Sequence, residues 1–267
     1  MLNEDNEQGF LQANAVLQET EEQQEEVYGA ALMVEGVIPT PKAPWNFLHA
    51  LLFFAVNFVL QIVLAVVLTL IGLDIDLITI INIIFQAILF VLFPVWFVCK
   101  RRGLSINLLG FNKAPLLNIF TRGLLGGLII YLLVIVCNFV VVIIEGAGEG
   151  QQILQNLQLA ENSVIFVLYI VCITLVAPFA EEVFFRAFLY GSLRNRINPK
   201  LAMLIAGVIF GLIHYESGFN ILLLLPLMVG GIGFCYLYEK YNNIWINTIA
   251  HALWNSTAVL LLLFYSS

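Results

Sequence analysis

The chain has 267 residues, of which 61% are hydrophobic and 11% charged, with a mean hydropathy of +0.96. A soluble domain is nearer half apolar and a quarter charged, so the composition excludes an ordinary soluble fold and makes the bilayer the solvent for most of the chain. The net charge of −7 is also uneven. Residues 1–44 hold nine acidic side chains and one basic one, Lys42, which leaves the rest of the chain at +1 and without the basic patch that nucleic-acid binding requires.

The N-terminal stretch has no basic region followed by an apolar core, so it does not read as a signal peptide. Its Glu19–Glu26 run, ETEEQQEE, reads as a solvated, flexible cytoplasmic tail, with a short interfacial helix possible in its apolar flanks. Pro39-Thr-Pro-Lys-Ala-Pro44 is a stiff linker, and Trp45 stands where an interfacial anchor is expected.

From there the apolar runs predict an all-α, polytopic bundle of about seven membrane segments, at 46–72, 77–99, 119–144, 163–193, 200–215, 219–238 and 243–264. A further helix outside the hydrocarbon is expected at 151–161. The first three segments, within residues 45–150, carry no chemical signature, and the candidate chemistry falls within residues 151–267. Orientation follows from the loops. Lys100, Arg101, Arg102, Lys113 and Arg122 fall on one side with Arg194, Arg196, Lys200 and Lys240. Asp74, Asp76, Glu145, Glu149, Glu161 and Glu216 fall on the other. Basic loops stay in the cytoplasm, which puts the N-terminus inside.

Gly123-xxx-Gly127 and Gly207-xxx-Gly211 have the spacing that lets membrane helices approach closely, and Gly230, Gly231 and Gly233 offer the same; glycines merely tolerated in a membrane helix fit as well. Cys99, Cys137, Cys172 and Cys235 are scattered and read as small buried hydrophobes rather than disulfides or a zinc knuckle. His49 reads as interfacial, and Asn57, Gln61, Asn82, Gln86 and Asn138 as makers of interhelical hydrogen bonds.

The fourth segment is the exception. It carries Glu181, Glu182 and Arg186, and each charge near a membrane helix centre costs about 2.5–3.5 kcal/mol on insertion scales. Glu182 and Arg186 are four apart and share a face, so they can pair. Glu181 points about 100° away at 3.6 residues per turn and is left to act as a general base. Pro178, one turn earlier, frees a backbone carbonyl. On two other segments, His214 follows Phe210 by one turn and His251 precedes Asn255 by one turn. At 1.5 Å per residue, Glu181 is about 20 Å from Arg194, His214 about 21 Å from Lys200 and His251 about 17 Å from Lys240. The three candidates share one depth, near mid-membrane.

Three motifs follow in order on separate segments: EExxxR at Glu181–Arg186, FxxxH at Phe210–His214 and HxxxN at His251–Asn255. Together with Tyr236-Leu-Tyr-Glu-Lys240 they resemble the CPBP family, the type II CAAX prenyl endopeptidases and their bacterial relatives linked to bacteriocin maturation or self-immunity, over about residues 160–260. The resemblance implies an intramembrane endopeptidase in a bacterial cell membrane, with a cavity opening toward the cytoplasm. Glu181 and His214 would activate water, His251 and Asn255 would donate to the oxyanion, and Glu182, Arg186 and Phe210 would support the site. The substrate would be a membrane-associated protein or peptide. Glu181, His214 and His251 also make up a three-ligand zinc set, but HExxH is absent and a metal-free mechanism is preferred. A proton-coupled transporter and a non-catalytic scaffold or immunity protein are the competing readings, and the former lacks an inverted repeat.

Overall fold

The computed structural model describes residues 43–146, 152–160, 162–215 and 221–265, and every regular element among them is helical. The acidic tail and its suggested interfacial helix lie outside the described residues, as do Glu149, Glu161 and Glu216.

The helices are α1 (Phe47–Leu70), α2 (Ile75–Val95, running on as a π-helical turn to Arg101), α3 (Leu116–Glu145), α4 (Gln152–Leu159), α5 (Ser163–Arg194), α6 (Pro199–Leu212), α7 (Leu224–Tyr241) and α8 (Ile244–Tyr265). Among the described residues six helices are long and apolar enough to cross a membrane: α1, α2 with its π-helical extension, α3, α5, α7 with the preceding 3-10 turn, and α8. The remaining expected segment, 200–215, is α6, with 14 residues. At 1.5 Å per residue it reaches about 21 Å, short of the roughly 30 Å of hydrocarbon. The helix expected at 151–161 is α4, with Leu157 as its fully buried residue.

Glycines set how closely the helices pack. A Cβ on Gly207 would stand 2.4 Å from the Ile232 side chain and 2.7 Å from its backbone nitrogen, and one on Gly231 would stand 2.9 Å from the Cα of Gly207. Gly123 and Gly127 of α3 meet Ile249 and the backbone of Ala250 on α8 in the same way. Both small-xxx-small patterns are therefore contact faces, α6 on α7 and α3 on α8.

The end of the bundle bearing Arg101, Arg194 and Lys240 is densely packed. Phe184, Phe185, Phe188 and Tyr190 of α5 are buried with Phe90, Phe97 and Leu109. Trp45 differs from the expected interfacial anchor: it is 3% exposed, donates from Nε1 to the Phe188 carbonyl at 2.8 Å and stacks on the Phe188 ring. The loop after α2 is pinned to the α7–α8 turn by Asn112 Nδ2 on the Asn242 carbonyl at 2.7 Å, Asn243 Nδ2 on the Asn112 carbonyl at 2.9 Å and Ile244 N on the Gly110 carbonyl at 2.8 Å. The opposite end is tied by Tyr169, whose hydroxyl donates to Asp76 at 2.8 Å.

For three of the five scattered polar residues no hydrogen bond across helices is seen among the described residues. Asn82 donates to the Ile78 carbonyl of its own helix, not across helices. Asn57 Nδ2 and Gln61 Nε2 are buried without a hydrogen bond among the described residues. His49 serves locally, its Nδ1 accepting from the Asn46 amide at the start of α1. Cys172 and Cys235 are buried, and all four cysteines are free.

Candidate active site

Helix α5 is not regularly α-helical. It widens into π-helical stretches at Cys172–Val176 and Glu182–Tyr190, a distortion common at functional sites. In the first stretch the Ala177 amide bonds the Cys172 carbonyl, five residues back. On that pattern the Ile173 carbonyl should receive the amide of residue 178, which is proline and has none. The vacancy is filled from α8: Asn255 Nδ2 donates to the Ile173 carbonyl at 2.8 Å. Pro178 thus frees a carbonyl as the sequence predicts, and Asn255 is the group that takes it.

Glu182 is fully buried and holds more than the single partner its spacing suggests. Arg186 Nε lies 3.2 Å from its Oε2, Asn247 Nδ2 donates to the same oxygen at 3.0 Å, and His251 Nδ1 donates to Oε1 at 2.8 Å. The second amide hydrogen of Asn247 goes to the Phe234 carbonyl at 2.8 Å. The Arg186 guanidinium lies 4.3 Å from the centre of the Phe210 ring and 5.1 Å from that of Phe234, so its charge is met by one carboxylate and two aromatic faces. Glu182 therefore fixes the orientation of His251 as well as tying α5 together. Asn247 and Phe234 carry no motif signal of their own. Asn247 could have been found by its place one turn before His251 on the face that also carries Asn255.

Glu181 points elsewhere. Its side chain is 17% exposed, and its Oε2 is 3.8 Å from His251 Nε2. His251 is held between carboxylates at both ring nitrogens and stacked on Phe234, with ring centroids 4.6 Å apart. His214 stands just past the C-terminus of α6, where the short helix stops at the level of the other candidates. Its Nδ1 lies 2.7 Å from the Phe210 carbonyl. A carbonyl can only accept, so Nδ1 carries the proton there, and in the neutral ring Nε2 holds the lone pair. Phe210 is thereby a neighbour of His214, His251 and Arg186 together.

Glu181, Phe210, His214, His251 and Asn255 all line one cavity of about 450 Å³. The structure brings the predicted residues of three helices to a single space, with Glu182 and Arg186 behind it. The cavity also recruits α2, through Thr79, Ile83 and Gln86, and α4, through Ile153, Leu154 and Asn156, none of which the sequence placed at the site. Among the described residues no three His, Cys, Asp or Glu side chains are grouped closely enough to share an ion.

The cavity's remaining walls include Cys172 and Ile173 on α5, Leu227 on α7 and Ala258 on α8. Each lies on the side of the catalytic level away from the basic ends of its helix. The side toward Arg194 and Lys240 is filled by Phe184, Phe185, Phe188 and Tyr190, each at most 1% exposed.

Comparison with known proteins agrees with the motifs. The chain is 35% identical over 94 residues to a Bacillus subtilis (strain 168) protein named "Putative membrane peptidase YdiL", an alignment covering 35% of this chain and 37% of that one. It is 34% identical over 91 residues to the UPF0177 protein YxdF of Lactococcus lactis subsp. lactis (strain IL1403), covering 33% of this chain and 48% of the relative. The similarity thus spans less than half the length of either. No solved structure matches. Residues 163–257, the stretch that holds all three motifs, match the family described as type II CAAX prenyl endopeptidase Rce1-like.

Proposed function

We propose that the chain is an intramembrane endopeptidase that hydrolyses a peptide bond of a membrane-associated protein or peptide without a metal ion. The observation that carries this reading is the convergence of Glu181, His214, His251 and Asn255 on one cavity in the apolar part of the bundle. Ionisable groups are costly there, and Glu182 and Arg186 hold the set in place.

In the proposed reaction a water lies between Glu181 and His214 Nε2. Glu181 takes a proton as the water oxygen adds to the scissile carbonyl carbon. The negative charge that develops on the carbonyl oxygen is met by His251 Nε2, when that nitrogen carries its proton, and by the second amide hydrogen of Asn255, the first being engaged with Ile173. Collapse of the tetrahedral species breaks the C–N bond, and the proton held by Glu181 passes to the leaving amine. Glu182 keeps the His251 ring in register throughout.

The test is a membrane proteome comparing cells that make the wild-type chain with cells that make Glu181→Ala. A protease leaves uncleaved precursors in the variant and their products in the wild type. Equal product levels, with Glu181→Ala inserted at wild-type amounts, refute the assignment.

A further inference from the structure

We infer that α1 and α2 hold ordered water between them at the level of Glu181, in a site built from the side-chain amides of Asn57, Gln61 and Asn82 and joined to the catalytic cavity through Gln86. The site is independent of cleavage. Its use, replacing the water that hydrolysis consumes, rests on the protease reading.

The buried residues of α1 are Ala50, Phe53 and Asn57. Asn57 is 2% exposed, yet its Nδ2 has no hydrogen-bond partner among the described residues. One turn on, Gln61 Nε2 is buried without a partner as well. On α2, Asn82 donates from Nδ2 to the Ile78 carbonyl at 2.9 Å, which leaves its buried Oδ1 without a donor.

The stacked rings of Phe53 and Phe93, with centroids 3.9 Å apart, align the two antiparallel helices. At 3.6 residues per turn Asn57 and Gln61 stay within about 80° of Phe53 on α1, and Gln86 and Asn82 within about 40° of Phe93 on α2. At 1.5 Å per residue Asn57 lies about 6 Å from that ring pair along the axis, Gln86 about 10 Å, Gln61 about 12 Å and Asn82 about 16 Å, all toward the α1–α2 turn. The amides therefore alternate between the helices along one seam. Phe184 of α5 lies against both Phe53 and Phe90, with ring centroids 5.6 Å and 4.4 Å away. Glu181, three residues earlier on a helix parallel to α2, stands about one turn beyond this aromatic layer, level with Asn57 and Gln86. Gln86 and Glu181 line the same cavity.

The three unpartnered atoms select the ligand. Nδ2 and Nε2 need acceptors, and Oδ1 needs a donor. A cation would satisfy only the oxygen and an anion only the amides. Water donates and accepts, and buried water commonly bridges two to four groups of this kind. The proposed reaction uses one water at each turnover. A bound substrate covers the cavity, whereas this site lies behind its Gln86 wall and can provide the next water.

Water-edited solid-state NMR on the full chain in lipid bilayers, with ¹⁵N-labelled asparagine and glutamine, reads the site directly. The side-chain signals of Asn57 and Gln61 are identified by their loss in Asn57→Leu and Gln61→Leu. Asn247 is the internal reference, since it is fully buried but donates both amide hydrogens to protein groups. At short mixing times the Asn57 and Gln61 amides should receive magnetisation from water several-fold faster than Asn247. Transfer as slow as that to Asn247 overturns the site. The same result is expected with Glu181→Gln added, so a failure of the protease reading leaves this test intact. With a cleaved precursor in hand, Asn57→Leu, which keeps the size of the side chain and removes its amide, should lower kcat several-fold with KM unchanged. An unchanged kcat overturns the supply of water from this site.

Discussion

The pair formed by Glu182 and Arg186 offers a quantitative test of how the site is held. Both side chains are at most 1% exposed, their atoms approach to 3.2 Å, and the arginine is otherwise faced by the rings of Phe210 and Phe234. Glu182→Gln keeps the shape of the side chain and removes its charge, leaving a buried guanidinium without a counter-ion. Removing one partner of a buried pair costs about 3–5 kcal/mol, whereas replacing both by groups of similar volume is close to neutral. Arg186→Met should therefore destabilise by a similar amount, and Glu182→Gln with Arg186→Met by less than either single change. Unfolding in detergent by denaturant, followed by tryptophan fluorescence, measures all three, with Trp254 reporting beside His251. Additivity of the two single changes within about 0.5 kcal/mol would mean that the groups act independently and would refute the reasoning.

Asn247→Leu removes both amide hydrogen bonds and leaves the Phe234 carbonyl and a Glu182 oxygen short of a donor; at about 1–3 kcal/mol for each unsatisfied buried group it should lower both stability and cleavage, read by unfolding and turnover. Asn255→Leu should cost about 1–3 kcal/mol by orphaning the Ile173 carbonyl, and Pro178→Ala, which restores a backbone N–H beneath it, should recover part of that stability in the same unfolding assay. Gly207→Ala forces α6 from α7, since the new Cβ meets the Ile232 backbone at 2.7 Å; overpacking of this kind costs about 1–3 kcal/mol and should lower the unfolding midpoint more than Leu204→Ala on an exposed face of α6. Exhaustive chelation should leave cleavage by the purified protein unchanged, and stoichiometric zinc lost together with activity would contradict the metal-free mechanism.

Much of this arrangement is legible in the sequence because membrane helices state their constraints openly. Apolar runs give the spans, and charged residues inside them are rare enough that Glu181, Glu182 and Arg186 stand out at once. Helical spacing separates Glu181 from the Glu182–Arg186 pair, and the structure keeps that division. Spacing within one helix says nothing about neighbours on another, however. The contacts of Glu182 with Asn247 and His251, and of Asn255 with Ile173, arise only when α5 and α8 are packed. The π-helical stretches escape notice for a related reason: they shift hydrogen bonds by one residue without changing composition. Trp45 reads as an interfacial anchor because tryptophan favours that depth, yet Phe188 offers it both a carbonyl and a ring. Phe184, Phe185 and Phe188 are buried in the core toward Arg194, while the cavity is walled by α2, α4, α5, α6, α7 and α8 together, an arrangement that no single helix displays.

With a precursor identified by the proteomic comparison, the most direct measurement is its cleavage by the purified chain in ¹⁸O-labelled water after chelation. Wild type is expected to place one ¹⁸O in the new C-terminal carboxylate, and Glu181→Gln to lower the rate by about 10²–10⁴, the usual contribution of a general base. Cleavage by Glu181→Gln at the wild-type rate would contradict the account.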